Sequence, residues 1–273
     1  MKSVSGSTVN ITDSPVLLTD SVDTPPLISS VNVAGGAPDL AQNTWIEISG
    51  KNLVSANTPV GGVIWSSAPE FAINRMPTQL GNASIQVMVN GVPAYMYFYC
   101  SSASGCVNDQ INVLTPLDDT TGPVQITVDT GIYSASFTAN LRAVAPSFPL
   151  YGGKYIVATH ADNTLVGPVS LSAPGYLITP VKRDETIVMY AFGFGLPQSS
   201  LASGASYQTG TLPVLPVCKV GGTNATVVFA GVIGPGLYQL NLKVPAGAAT
   251  GDNQIGCTYN GVSSPSGDLV AVQ

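Results

Sequence analysis

The chain has 273 residues, of which 45% are hydrophobic and only 9% charged, with a formal net charge of −6. That length accommodates two domains with separate cores, and the composition excludes a disordered chain, which would be rich in charge and poor in Val, Ile and Leu. Residues 1–142 carry four Lys/Arg against ten Asp/Glu and residues 143–273 carry five of each, so no basic stripe is available to neutralise phosphates and nucleic acid is not an expected partner.

In chain order, Met1-Lys2-Ser3-Val4-Ser5 has a basic residue but no apolar run behind it, so an intact signal peptide is not expected here. Either a signal was removed upstream or none existed. No apolar run approaches the roughly 18 residues of a bilayer span. Residues 1–26 form an extended arm: Ser7–Thr12 and Pro15–Thr19 are two strand-like runs split by Asp-Ser-Pro and ending at Pro25-Pro26. Val9 and Ile11 share one face of the first run, and Val16 and Leu18 one face of the second. Such an arm suits strand donation to a sheet edge, within the chain or on a neighbouring copy.

Residues 27–142 are expected to form a first β-sandwich. Leu27–Val33 and Thr44–Leu53 read as strands, residues 55–80 as a long irregular loop holding Trp65, and further strands fall near 84–90, 93–100, 110–115, 123–129 and 132–139. No amphipathic helix is evident, and at most short helical turns are expected near 77–80. Leu141–Pro149 reads as a linker stiffened by two prolines. Residues 143–273 then form a second sandwich, in which Glu185–Gly195 takes the place of Thr44–Leu53.

The two halves are one pattern written twice. Val89-Asn90-Gly91, Ala94 and Phe98 match Val220-Gly221-Gly222, Ala225 and Phe229 at an offset of 131. Gln110-Ile-Asn112-Val and Pro116 match Gln239-Leu-Asn241-Leu and Pro245 at an offset of 129, and Gly122 then falls on Gly251. Short Val-, Ile-, Leu- and Tyr-rich runs broken by Gly, Pro and Asn every 8–12 residues indicate an all-β protein, with two tandem immunoglobulin-like sandwiches.

The four cysteines fall into two pairs. Cys100 and Cys106 bracket the turn Ser101–Gly105, while Cys218 and Cys257 lie on strand-like runs of one domain. Disulfides are favoured over buried free thiols, and a metal site is not, because there is no CxxC and the single histidine, His160, lies far from both pairs in sequence. Disulfides place the chain in an oxidising space.

Ala158–Pro168, Asp184–Gly195, Gly234–Pro245 and Asn260–Pro265, with WIEISGKNL, VNGVPAY and DQINVLTP in the first half, resemble an acidobacterial (Solibacter-type) uncharacterised C-terminal domain family. That family is related to the IPT/TIG class of immunoglobulin-like sandwiches. The resemblance covers residues 27–273 and implies export and a β-sandwich, with no assigned activity. Two departures are the lack of the usual upstream repeats or enzymatic regions and the Cys100–Cys106 pair on a hairpin normally free of cysteine.

Candidate chemistry is sparse. His160 and Asp162 lack a GxSxG nucleophile elbow, and Phe192-Gly-Phe-Gly195 lacks the third glycine and helix of a dinucleotide fingerprint. Asp118-Asp119 and Asp184-Glu185 read as solvated turn carboxylates rather than a calcium site at the domain junction. The sequons at Asn10, Asn82 and Asn224 are read as coincidental. Tyr95, Tyr97 and Tyr99 alternate with Met96 and Phe98, which would set three tyrosines on one strand face, able to stack on sugar rings or to be buried under the 55–80 loop or the second domain. No catalytic residue, cofactor or metal is expected. The leading expectation is an exported, non-enzymatic structural protein of a bacterial cell surface or extracellular matrix, with copies of itself as partners, joined through the N-terminal arm into filaments. The alternative is a carbohydrate- or matrix-binding accessory module that uses the tyrosine face on extracellular polysaccharide.

Overall fold

The computed structural model describes residues 24–273. Among the described residues it is all-β: two immunoglobulin-like sandwiches with no α-helix and four short 3-10 turns. Those turns lie at Trp65–Ser67, Pro69–Ile73, Ser102–Ser104 and Val169–Leu171, so the helical turn expected near 77–80 is displaced to the segment before it. The arm residues Val9, Ile11, Val16 and Leu18 lie outside the described residues.

The first sandwich contains β1 (Leu27–Val33), β2 (Leu40–Ala41), β3 (Trp45–Lys51), β4 (Val63–Ile64) and β5 (Gln86–Val89). It continues with β6 (Val92–Pro93), β7 (Tyr95–Cys100), β8 (Asp109–Leu114), β9 (Gly122–Asp129) and β10 (Ser134–Arg142). One sheet has the order β1-β3-β8-β7-β4 and the other β2-β10-β9-β5-β6. The period of two sends alternate residues inward. Ile46 and Ile48 of β3, Ile111 and Val113 of β8, Val87 and Val89 of β5, and Ile126 and Val128 of β9 meet in one buried cluster. Each such side chain contributes about 1.5–3 kcal/mol on burial.

The second sandwich runs through β11 (Leu150–Tyr151), β12 (Tyr155–Ile156), β13 (Ala158–Thr159), β14 (Leu165–Val166), β15 (Ile178–Thr179) and β16 (Thr186–Ala191). After β17 (Gly210–Thr211) come β18 (Val217–Val220), β19 (Thr223–Gly234), β20 (Leu237–Lys243), β21 (Gly251–Tyr259), β22 (Val262–Ser263) and β23 (Leu269–Val272). Its core gathers Ile187, Met189, Leu240, Leu242, Ile255 and Val270. Here β19 starts as the partner of β18 and, from Thr226, becomes the partner of β20, so the two layers form one hydrogen-bonded path. The first sandwich splits the same run at Ala94 into β6 and β7.

The repeat extends to an irregularity. The β7–β8 register slips between Met96 and Phe98, and the β19–β20 register slips between Val227 and Phe229, at the equivalent step. In each copy one residue, Tyr97 or Val228, is left without an opposite partner and the strand twists. Position 109 and its equivalent 238 also share a task. Asp109 accepts hydrogen bonds from Leu53 N (3.0 Å) and Val54 N (3.3 Å), holding the turn after β3, whereas Tyr238 donates its hydroxyl to Gly195 O in the turn after β16.

The 141–149 segment is bound to both bodies. Ala145 packs in the first core while Val144 and Phe148 pack in the second. Ala145 N donates to Gly193 O at 2.8 Å, and Ser147 pairs with Phe192 and donates its hydroxyl to Ala34 O at 2.7 Å. Gly193 has φ +72°, and a Cβ there would lie 2.0 Å from Ala145 O, so only glycine permits this approach.

Candidate binding cleft

On β3, alternation directs Ile46 and Ile48 inward and leaves Trp45, Glu47 and Ser49 half-buried on the outer face. On β8 it leaves Gln110 and Asn112 on that same face. Register then aligns a polar row across the sheet: Asn32 of β1 stands opposite Glu47, and Glu47 stands opposite Asn112. Beyond Asn112 lies the bulge at Tyr97. The row is internally tied. Gln110 Nε2 donates to Glu47 Oε2 (3.1 Å) and to Asn112 Oδ1 (2.9 Å), and Ser49 Oγ donates to Glu47 Oε1 (3.2 Å).

Aromatic rings border this row. The 3-10 turn after β4 delivers Trp65, which β4 places beside β7 through the pairs Val63–Tyr99 and Ile64–Phe98. Trp65 meets Trp45 edge-to-face at 5.4 Å, Tyr97 at 5.0 Å and Phe71 at 5.3 Å, and Trp45 meets Tyr97 at 5.6 Å. Edge-to-face pairs at these separations hold the rings in a fixed arrangement. The second sandwich supplies the facing wall with Phe192, Pro235 and Leu237, and the walls border an open cavity of about 570 Å³. Trp45 Nε1 donates to Pro235 O at 2.8 Å, fastening the two walls together. Behind it, Asn43 Nδ2 donates to the buried Gln208 Oε1 at 2.8 Å. Gly236, at φ +64°, approaches so closely that a Cβ would lie 2.3 Å from Leu114 Cδ1.

The three tyrosines do not share a face. The bulge at Tyr97 reverses the alternation, so Tyr99 turns into the first core beside Met96, and burial raises its phenol pKa. Tyr95 packs against the second sandwich, its hydroxyl 2.8 Å from Ser203 Oγ. Tyr97 alone reaches the cleft. Sequence reasoning does not single out Trp45, Trp65, Glu47 or Asn112. The alternation of Trp45-Ile-Glu47-Ile-Ser49 and of Gln110-Ile-Asn112-Val is a usable signal for the polar face, but nothing local indicates where Trp65 folds.

Both cysteine pairs are disulfides. Cys100–Cys106 spans a Cα separation of 6.1 Å, and Cys218–Cys257 joins directly opposed residues of β18 and β21 at 4.0 Å. His160 does not pair with Asp162. Its Nδ1 lies 2.5 Å from Glu185 Oε1 and its Nε2 3.1 Å from Thr179 O, while Asp162 accepts from Thr164 N and Oγ1 in its own turn. Asp118 likewise accepts from Asn90 Nδ2 and Thr120 N; the Thr120 and Asn90 hydrogen bonds lower its pKa. Among the described residues no group of three or more His, Cys, Asp or Glu is placed to hold a metal ion, and no helix is long and apolar enough to cross a membrane.

No family model matches the sequence, and no curated protein matches it. Among solved structures, the Bacteroides ovatus mixed-linkage glucan utilization locus SGBP-B, in complex with a mixed-linkage heptasaccharide, is 10% identical. That match covers 92% of this chain and 45% of that chain, at a TM-score of 0.36. An SGBP-B from a complex xyloglucan utilization locus in Bacteroides uniformis is 13% identical over 90% of this chain and 49% of that one, at a TM-score of 0.23. The titin Ig tandem A164–A165 is 9% identical over 89% of this chain and 95% of that one, at a TM-score of 0.19. The chain thus spans under half the length of the two SGBP-B chains, and scores this low carry no argument about function.

Proposed function

We propose that this protein is a non-enzymatic saccharide-binding module working outside the cytoplasm, and that the cleft between its sandwiches receives the sugar. The observation that carries this reading is the meeting, in one 570 Å³ cavity, of Trp45, Trp65 and Tyr97 with the polar row Asn32–Glu47–Asn112. A pyranose has the matching character, with a face of C–H bonds to lie on aromatic rings and a rim of hydroxyls to reach amide and carboxylate groups. Cavities of this size, mostly apolar with a few placed polar groups, are the usual form of small-ligand sites. Glycoside hydrolysis generally uses two carboxylates flanking the bond, and Glu47 is the single carboxylate among the residues lining the cavity. The site is equipped to hold rather than to cleave. Two disulfides fit an oxidising compartment.

The arm through which assembly is expected lies outside the described residues, and the cleft is what supports binding. Native gel electrophoresis through soluble polysaccharides tests the reading. The protein should be retarded by at least one of them, and Trp65→Ala should weaken binding about tenfold or more while leaving the folded far-UV spectrum unchanged. Equal retardation of the variant, or none for either protein, would overturn it.

A further inference from the structure

The cleft's chemistry specifies a class of sugar, an inference that rests on the saccharide reading above. Glu47 is the one charged group lining the cavity, beside two amides and a set of apolar residues. Each of its carboxylate oxygens already accepts one hydrogen bond, Oε1 from Ser49 Oγ and Oε2 from Gln110 Nε2. A carboxylate has about four acceptor sites, so one remains on each oxygen. Two free acceptors on one rigid, planar group match two adjacent hydroxyl donors. A uronic acid would bring its own carboxylate near Glu47 with no cation in the lining to compensate, and like charges at close range within a half-enclosed site repel strongly. The surrounding sandwich adds to this, since residues 27–142 carry seven Asp/Glu against three Lys/Arg.

We propose that Glu47 makes the cleft selective for neutral polysaccharides bearing a vicinal diol and excludes polyuronates. Ser49 and Gln110 act as positioning residues, holding the carboxylate so that both free acceptor sites face the cavity. The row does not recur in full in the second sandwich. Gln239 Nε2 donates to Asn241 Oδ1 at 2.8 Å as Gln110 does to Asn112, but Val188 stands opposite Asn241 where Glu47 stands opposite Asn112. The amide pair therefore belongs to the shared sheet, and the carboxylate is the specific addition.

The test uses the full chain and four probes: a soluble 1,4-linked glucomannan, the same polymer after periodate cleavage of its vicinal diols, polygalacturonate and alginate. The wild type should bind only the intact glucomannan. Glu47→Gln should bind it at least tenfold more weakly and discriminate less against the two polyuronates. If the wild type binds polygalacturonate as well as glucomannan, or binds oxidised glucomannan undiminished, the role of Glu47 is refuted, while loss of binding in Trp65→Ala keeps the saccharide reading. Unchanged affinities for every probe in Glu47→Gln refute that role equally. If the wild type binds none of the four but is retarded by another soluble polysaccharide, this assignment falls and the saccharide reading stands; if it is retarded by none, both fall. Should Glu47→Gln unfold, the wild type's discrimination between intact glucomannan and the two polyuronates still decides the exclusion of acidic sugars.

Discussion

The indole N–H of Trp45 is donated to the main-chain oxygen of Pro235, 2.8 Å away and 190 residues later in sequence. One side chain thereby borders the cleft and joins the sandwiches that form it. Trp45→Phe should keep an aromatic ring there but leave the Pro235 carbonyl without its donor. A loss of about 1 kcal/mol of stability is expected, read as a lower urea midpoint, together with weaker saccharide binding. Unchanged stability would mean that water replaces the indole without cost.

Gly236 tests the same junction by crowding. Its positive φ, and the 2.3 Å that would separate an added Cβ from Leu114 Cδ1, leave no room for a methyl group. Gly236→Ala should push the walls apart, costing about 1–3 kcal/mol as overpacking does, and should weaken saccharide binding more than an alanine at the exposed Gly222 would. Equal effects at the two positions would show that the close approach is not needed.

Asp109 holds two turns at once. Besides Leu53 N and Val54 N, it accepts from Ser102 N (2.8 Å), Ser102 Oγ (2.9 Å) and Ser101 Oγ (3.3 Å). Asp109→Ala would leave several buried donors unpaired and should cost about 3–5 kcal/mol. Asp109→Asn should recover only part of this, because its amide nitrogen cannot accept. Chemical denaturation of the two variants checks both the size and the order.

Much of this architecture is legible along the chain, because the repeat, the turn residues and the two-residue period are local properties of the sequence. Ile46 and Ile48 can be assigned inward, and Cys218 and Cys257 to one domain, from the residues alone. Tyr99 cannot be placed that way. A bulge adds one residue without a local compositional mark, and everything after Tyr97 exchanges faces. Trp65, Phe192 and Pro235 meet only because a loop folds back over β7 and a second domain docks, and no periodicity within a strand reports such encounters.

Asp268 gives the protein a pH response with a definite sign. Its carboxyl is buried with Oδ2 unpartnered, and burial pushes its pKa up to about 6. The protonated form therefore favours the fold. That contribution is complete below the unfolded-state value of about 4 and is lost as pH rises through about 6. Asp268→Asn should raise the urea midpoint at pH 7.5 and leave it nearly unchanged at pH 4. A variant no more stable than wild type at pH 7.5 would show that the carboxylate finds a partner on ionising.

The disulfides should differ in weight. Cys218–Cys257 closes a sequence separation of 39 and Cys100–Cys106 one of 6. Chain-entropy arguments give about 4 kcal/mol for the longer loop and about 2 for the shorter. Double alanine replacement of each pair, followed by denaturant titration, should reproduce that order, and mass spectrometry of the unreduced wild-type protein should find no free thiol.

Tyr97 and Val228 interrupt their ladders at the same step, and Gln110–Asn112 and Gln239–Asn241 make the same bond, as two copies of one doubled unit would. What the copies do not share is Glu47 against Val188 and Trp45 against Thr186. The first copy carries the polar and aromatic face of the cleft, while the second kept the plain sheet and serves as its neighbour's wall through Phe192, Pro235 and Leu237. Neither half holds the whole cleft, so the saccharide binding proposed above should require both sandwiches in one chain.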